Sequence, residues 1–191
     1  MKELVFLLEE PSAKALLSTL LPRFLDPTIT PRFIPFQGKQ DLDKQLERKL
    51  RGYVNDQARF LILRDQDSAD CYTVKQQLLA KCATAGRAAT SLVRIACREL
   101  ETFYLADLAA VETALGLRSL RGQQGSARFR TPDYLGSPSH ELAKLTNHQY
   151  QKVSHSRLLG AHLDLTNTRS ASFRHLLTGI RRLEQELLAL P

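Results

Sequence analysis

The chain lacks long hydrophobic runs. No apolar stretch approaches the roughly 20 residues that a membrane-spanning helix needs, and no basic amphipathic anchor is present. The amino-terminal apolar stretch is interrupted by Glu3 and ends at Glu9 and Glu10, a pattern that is unlike a signal peptide. These absences predict a cytoplasmic protein that does not associate with a membrane.

Several chemical motifs are also missing. The three cysteines, Cys71, Cys82 and Cys97, are odd in number and show no CxxC spacing, which favours reduced structural thiols over a disulfide framework. No P-loop and no GxGxxG motif occurs, so nucleotide binding by those routes is excluded. The absence of a GxSxG motif argues against a hydrolase with a nucleophilic serine.

The composition is that of an ordinary soluble domain with excess positive charge. Of the 191 residues, 43% are hydrophobic and 25% are charged, which is enough to bury a core as one domain with an extension. The formal net charge is +7 and the isoelectric point is about 9.5. This balance favours nucleic acid over a membrane as the polyanionic partner.

Short apolar runs alternate with amphipathic helical patterns in the first half of the chain. We predict strands over residues 4–8, 32–36, 60–63 and 92–97, separated by helices over 11–21, 40–51 and 73–83. Pro35 indicates that the second strand lies at an edge of the sheet or that the strand ends there. This order predicts an α/β fold with a mostly parallel, Rossmann-like sheet of four strands, flanking helices and a helical carboxyl-terminal extension.

Acidic residues follow three of the predicted strands. They are Glu9 and Glu10, then Asp65 and Asp67, then Glu99 and Glu101. Parallel strands direct their carboxyl ends to one edge of a sheet, where ligands bind. If the chain remains extended after the third strand, Asp65 and Asp67 point the same way. An oxygen-rich pocket of this kind suits Mg²⁺ or Mn²⁺.

Each acidic group also has a structural interpretation. Asp65 and Asp67 lie in a sequence that is favourable for a turn, and Glu9 can be a solvated residue beside a helix amino terminus. Glu99 and Glu101 can form a charged helix start. The sequence does not decide which of these last two residues is a metal ligand, although we favour Glu101.

Together these residues resemble the Toprim domain of topoisomerases, primases and overcoming-lysogenization-defect (OLD) nucleases. That pattern has a glutamate after the first strand, matched by Glu9, and a DxD after the third, matched by Asp65 and Asp67. Glu10 departs from the pattern, because a glycine usually stands there. The chain more closely resembles the bacterial domain-of-unknown-function family 4276 in its segments LLEEPS (7–12), LRDQDSADC (63–71), RELETFYL (98–105) and RSASF (169–173).

The resemblance implies a metal-dependent nuclease that cleaves phosphodiester bonds of DNA or RNA. Asp65 and Asp67 would then hold Mg²⁺ or Mn²⁺, Glu9 would share the metal or act as general base, and Glu99 and Glu101 would serve a second ion. Members are often encoded beside ABC/SMC-type ATPases in apparent phage-defence islands, which implies an effector with an ATPase partner. Two alternatives are a non-catalytic Toprim-like module that docks on an ATPase or nucleic acid, and a small-molecule phosphohydrolase.

The chain is predicted to divide into three parts. Residues 1–115 form the catalytic core, with its last helix at 105–115, residues 116–138 a basic flexible loop, and residues 139–191 the helical extension packed on the core. The loop arginines, with Lys75 after the DxD, are candidates for contact with nucleic-acid phosphates, although a solvated surface is the other interpretation. These arginines are Arg118, Arg121, Arg128 and Arg130.

The clearest helix of the second half is predicted over residues 173–188. Its apolar stripe consists of Phe173, Leu176, Leu177, Ile180, Leu183 and Leu187. Ser172 is the predicted N-cap. The stripe needs a surface to cover it, either this chain's own sheet or another subunit, so a homo-oligomer remains open.

Overall fold

The computed structural model describes all 191 residues, with four strands and eight α-helices. The strands are β1 (Glu3–Leu8), β2 (Thr30–Pro35), β3 (Arg59–Asp65) and β4 (Ser91–Ala96). The helices are α1 (Pro11–Leu20), α2 (Lys39–Arg51), α3 (Cys71–Thr84), α4 (Glu101–Leu105), α5 (Leu108–Ala114), α6 (Pro138–Leu145), α7 (Lys152–Gly160) and α8 (Ala171–Leu188).

All four strands are parallel, and they lie in the order β2-β1-β3-β4. The two central strands, β1 and β3, are buried almost throughout, which explains why their sequences are continuous apolar runs. The outer strand β2 contains Pro31 and Pro35, residues that an edge position tolerates. The predicted α/β fold with a parallel four-stranded sheet and flanking helices is confirmed.

Helices cover both faces of the sheet. Alternate residues of β1, such as Val5 and Leu7, face the core shared with α2 and α3, whereas Leu4, Phe6 and Leu8 face a larger core. That larger core contains α1, α4, α5 and the carboxyl-terminal helices. None of the helices combines the length and hydrophobicity required to span a bilayer.

The apolar stripe of α8 packs against this chain's own sheet. The helix contacts β1, β3 and β4, and Ile180, at the middle of the stripe, is fully buried. Ser170, and not Ser172, caps the helix, because its Oγ accepts the backbone N–H of Phe173 at 3.1 Å. The cap predicted at Ser172 was therefore wrong by two residues.

The helix predicted over residues 105–115 corresponds to α5, and its predicted first residue, Leu105, is the last residue of a separate helix, α4. The break falls at Asp107, whose Oδ1 accepts the N–H of Ala110 at 3.0 Å and so starts α5. Its Oδ2 accepts the N–H of Asp164 at 2.8 Å, which ties the break to the segment after α7. Asp107 is thus a helix cap, which the apolar pattern did not reveal.

Residues 116–138 lie against α4 and α5. Leu120 and Phe129 are buried in the larger core. The Gln124 amide donates to the carbonyls of Leu105 at 3.0 Å and Phe129 at 2.7 Å, and its oxygen accepts the N–H of Leu108 at 2.7 Å. The segment is held by these contacts, while the proposed domain boundaries stay a prediction.

The close approach of α7 to α1 depends on Gly160. A Cβ at this position would lie 2.3 Å from both the Leu16 carbonyl oxygen and Thr19 Oγ1, so the two helices would have to separate. We expect Gly160→Ala to cost about 1–3 kcal/mol of stability, the usual range for overpacking. Thermal melts would show this against Gly125→Ala, where a Cβ meets nothing within 4 Å. Equal melting temperatures for the two variants would contradict the close packing.

Candidate metal and phosphodiester site

The site lies at the carboxyl ends of β1 and β3. These two strands are neighbours, but the chain passes from β1 outward to β2 on one side and from β3 outward to β4 on the other. In open α/β sheets such a reversal leaves a crevice where ligands bind. Glu9 directly follows β1 and Asp65 ends β3, so both border the crevice. The Asp65 backbone N–H donates to Glu9 Oε2 at 3.0 Å, which joins them directly.

Three acidic side chains gather here with little access to water. Asp65 is 9% exposed, and Glu101, in the first turn of α4, is fully buried. Burial raises the pKa of Asp65 well above its usual range, and the charges of Glu9 and Glu101 raise it further. Burial also raises the pKa values of Glu9 and Glu101. The cluster therefore favours binding of a proton or another cation.

Glu101 has one partnered and one unpartnered oxygen. Its Oε1 accepts the Tyr150 hydroxyl at 3.1 Å and lies 3.8 Å from Lys152 Nζ. Its Oε2 is buried without a hydrogen-bond partner. Buried polar atoms are rarely left unsatisfied, so this oxygen is available to a ligand.

Lys152 brings a positive charge from α7 to the acids. Its Nζ donates to both carboxylate oxygens of Glu10, at 3.0 and 3.1 Å, and Ser12 Oγ donates to the same group at 2.6 Å. Burial alone would lower the pKa of Lys152, but the charges of Glu101 and Glu10 outweigh it and raise that pKa. The extra acid at position 10 thus has its own counterion.

Sequence reasoning missed Lys152 and Tyr150. Tyr150 is 49 residues from its acidic partner Glu101 in the chain, and Lys152 is 142 residues from its acidic partner Glu10. No spacing within the sequence pairs them with the strand ends. Only the packing of α7 on α1 brings them to the site.

Asp67 reaches the site by a different path from the one predicted. The strand ends at Asp65, and Asp67 has a φ of 55°, so the expectation that both aspartates share one face of an extended chain was wrong. Its carboxylate pairs with Lys39 Nζ at 2.8 Å, and its backbone N–H donates to the Arg98 carbonyl at 2.7 Å. Its charge still contributes to the raised pKa of Glu9, so the two acids remain neighbours.

Glu99 and Glu101 belong to different parts of the site. Glu99 Oε2 accepts the N–H of Ser139 at 2.6 Å, and Glu99 lines a shallow cleft of about 180 Å³ together with Asp67 and Arg98. Glu101 instead faces Asp65 and Lys152. Glu9 is near members of both groups, because the charge of Asp67 raises the pKa of Glu9 and the charge of Glu9 raises the pKa of Asp65.

No three acidic, histidine or cysteine side chains lie close enough to one another to hold a metal ion together. The donor chemistry nevertheless fits Mg²⁺ or Mn²⁺, because every candidate ligand is a carboxylate oxygen. The unpartnered Oε2 of Glu101 and the raised pKa of Asp65 both indicate a site short of positive charge. The residues therefore fit such an ion in the chemistry of their donor atoms.

The predicted basic residues fall into three groups. Arg121 pairs with Glu112 at 2.8 Å, and Arg128 pairs with Glu141 at 3.3 Å. Arg118 and Arg130 are exposed and form no ion pair. Lys75 lies apart from the acids, in a cavity beside β4. The arginines free to meet a phosphate without breaking an ion pair are therefore Arg118 and Arg130.

Comparison with known proteins shows which structure and which family this chain is similar to. The chain is similar in structure to the C-terminal region of the Burkholderia pseudomallei OLD protein, with a TM-score of 0.54 and 15% sequence identity. The similarity covers 95% of this chain and 98% of that one, so it extends over the whole architecture. No curated protein matches the chain in sequence. Residues 8–181 match the family model described as Domain of unknown function (DUF4276), and the chain therefore belongs to the DUF4276 family.

Proposed function

We propose that this protein is a metal-dependent nuclease that cleaves phosphodiester bonds of DNA or RNA with Mg²⁺ or Mn²⁺. The observation that carries the proposal is the gathering of Glu9, Asp65 and Glu101 at the carboxyl edge of the sheet, with one buried oxygen of Glu101 unpartnered. The OLD-like fold supports a Toprim-type nuclease module. The net charge of +7 supports a polyanionic substrate.

The acids take separate roles in this proposal. Asp65 and Glu101 would hold the ion on the buried side, and Asp67 with Glu99 would offer a second set of oxygens on the open side. The chemistry that a divalent ion would supply there is polarisation of the phosphate, activation of a water and stabilisation of the leaving oxygen.

Glu9 is near members of both sets and would either share the ion or accept a proton from the attacking water. Burial raises its pKa, which brings a carboxylate closer to the range that suits a general base.

Lys152 holds the acidic cluster together. Its ammonium pairs with Glu10, the residue that replaces the usual Toprim glycine, and its charge lowers the pKa of Asp65, which opposes the increase that burial and the charges of Glu9, Glu101 and Glu10 cause. Tyr150 fixes the Glu101 carboxylate through Oε1 and leaves Oε2 open. These two side chains are positioning groups in the proposed reaction.

We also propose that the nuclease is the effector of a phage-defence system controlled by an ABC/SMC-type ATPase partner. The basis is the resemblance to family members encoded beside such ATPases. The partner would regulate access to the acidic crevice.

The second candidate is a non-catalytic binding module. Lys39 and Lys152 already pair with Asp67 and Glu10, and no three acidic side chains lie close enough to hold one metal ion together, both of which favour it. Such a module would dock on an ATPase or on nucleic acid through its basic residues.

Cleavage assays distinguish the two candidates. The purified protein would be incubated with plasmid, single-stranded DNA and transfer RNA, with Mg²⁺, with Mn²⁺ or with a chelator. We expect cleavage that requires the metal and that Asp65→Asn abolishes. The matched control is Glu47→Gln, which removes one negative charge from an ion pair with Arg51 on the surface of α2. Cleavage that survives in Asp65→Asn would overturn the assigned site.

The loop arginines give a separate prediction. The double variant Arg118→Gln/Arg130→Gln should reduce the magnitude of the slope of log affinity against log salt on duplex DNA by about 2. The reason is that each phosphate contact contributes about 0.9 to that slope. Arg121→Gln with Arg128→Gln should change it less, because these two arginines are engaged with Glu112 and Glu141. Fluorescence anisotropy at several salt concentrations measures both slopes. Equal slopes in the wild type and the first double variant would assign Arg118 and Arg130 to the solvated surface.

A further inference from the structure

A cavity of about 450 Å³ opens beside the edge strand β4, between α3 and α8. Its lining includes the polar residues Lys75, Arg94 and His175 and, among the apolar residues that are not buried in the core, Cys71, Cys97 and Ala171. A volume of this size is typical of sites for small molecules. The acids of the crevice do not line this cavity, so it is distinct from the proposed metal site.

Arg94 is held in place by backbone carbonyls and not by an acid. Its Nε donates to the His175 carbonyl at 2.7 Å, and its Nη1 donates to the Val93 carbonyl at 3.0 Å. Gly179 of α8 packs so closely that a Cβ there would lie 2.8 Å from Nε and 3.0 Å from Nη2. The guanidinium is therefore oriented in advance, with N–H groups left over for a ligand.

The positive charge of Arg94 is not neutralised locally. Burial lowers the pKa of Arg94, and the nearby charge of Arg182 lowers it further, so both effects oppose its charged form. An arginine remains protonated in spite of such shifts, and an anion would relieve the unfavourable environment.

Lys75 and His175 add to the basic side of the cavity. Lys75 forms no ion pair and lies one turn into α3, and the His175 side chain approaches from α8. No acidic residue lines the cavity, and Asp133, whose Oδ2 accepts the N–H of the lining residue Ser172 at 3.1 Å, lies outside the lining. That carboxylate is engaged at the start of α8, which leaves Arg94 and Lys75 without an acidic partner.

We propose that this cavity binds a nucleotide, with the phosphate on Arg94 and Lys75 and the base against Cys97 and Ala171. Arginine and lysine are the usual phosphate-binding side chains, and the apolar wall suits the planar base. The nucleotide is either a free mononucleotide or one unit of a polynucleotide strand. The site does not depend on the proposed nuclease activity, because none of its residues belongs to the acidic cluster.

Calorimetric titration in chelator-containing buffer tests the proposal without any contribution from a bound metal. Adenosine 5′-monophosphate, inorganic phosphate and a short single-stranded oligodeoxyadenylate are the three probes. We expect the mononucleotide to bind about tenfold or more tightly than phosphate, and Lys75→Gln to weaken its binding about tenfold. Lys14→Gln, which removes the same charge from an exposed position on α1, is the control and should bind as the wild type does.

Competition between the probes identifies the source of the nucleotide. Displacement of the mononucleotide by the oligonucleotide would indicate a strand-binding site, and binding without displacement would indicate a free nucleotide. A change in the Ala171 methyl resonance on adding the mononucleotide would locate it in the cavity. Three results would overturn the proposal: no binding of the mononucleotide, equal binding of inorganic phosphate, or equal affinities in Lys75→Gln and Lys14→Gln.

Discussion

Asp65→Asn is expected to abolish cleavage while raising the melting temperature of the metal-free protein. The loss of activity should be about a thousandfold or more, since the metal supplies several kcal/mol of transition-state stabilisation. The gain in stability follows from burial, because Asp65 is 9% exposed and shares the crevice with Glu9 and Glu101. Removing one charge from this cluster relieves both desolvation and repulsion. A gain of 1 kcal/mol would raise the melting temperature by about 2–4 °C in a chain of this size.

The gain in stability of Asp65→Asn over the wild type should increase with pH. The pKa of Asp65 is raised in the folded protein, so in the wild type this group favours folding below the usual aspartate pKa. That contribution is lost as the pH rises through the folded-state value. The difference between Asp65→Asn and the wild type should therefore be small in acid and larger at neutral pH. Glu47→Gln should show no such trend, and a destabilised Asp65→Asn protein in metal-free buffer would assign Asp65 to a structural role.

Ile180→Asp is expected to unfold the protein. Ile180 is fully buried in the stripe by which α8 covers β1, β3 and β4. Truncating a buried isoleucine alone costs about 2–5 kcal/mol, and an unpaired buried carboxylate costs several more. The total is comparable to the whole stability of a typical domain, about 5–15 kcal/mol. Circular dichroism and thermal melts would show the loss of the folded state.

Gln185→Asp is the matched control, because Gln185 is exposed on the same helix. It should melt within a few degrees of the wild type, since surface substitutions are usually within about 0.5 kcal/mol. An Ile180→Asp protein that remains folded and loses only cleavage would place α8 in the functional surface. That result would contradict its role as the cover of the sheet.

The fold was largely predictable because strands that are buried on both faces of the sheet have continuous apolar runs as their sequences. The central strands β1 and β3 are such runs, and Pro35, which predicted an edge strand or a strand end, is the last residue of the edge strand β2. The errors lie at helix ends, where one polar side chain decides the outcome. Asp107 starts α5 and Ser170 starts α8, and neither choice follows from hydrophobic spacing.

The site was predictable only where it depends on strand ends. Glu9 and Asp65 could be brought together from the parallel order of β1 and β3 alone. Asp67 adopts a left-handed backbone conformation that alternation along a strand cannot anticipate. Lys152 reaches the acids only through the packing of α7 on α1, which has no local signal in the sequence.

Binding of Mn²⁺, followed by electron paramagnetic resonance during titration, tests the central claim most directly, because it does not require a partner or a substrate. We predict that the wild-type protein binds Mn²⁺, that Mg²⁺ displaces it, and that Glu47→Gln binds it equally well. Asp65→Asn should lose this binding. Absence of Mn²⁺ binding by the wild type, or equal binding by Asp65→Asn, would contradict the assignment of the acidic crevice as a metal site.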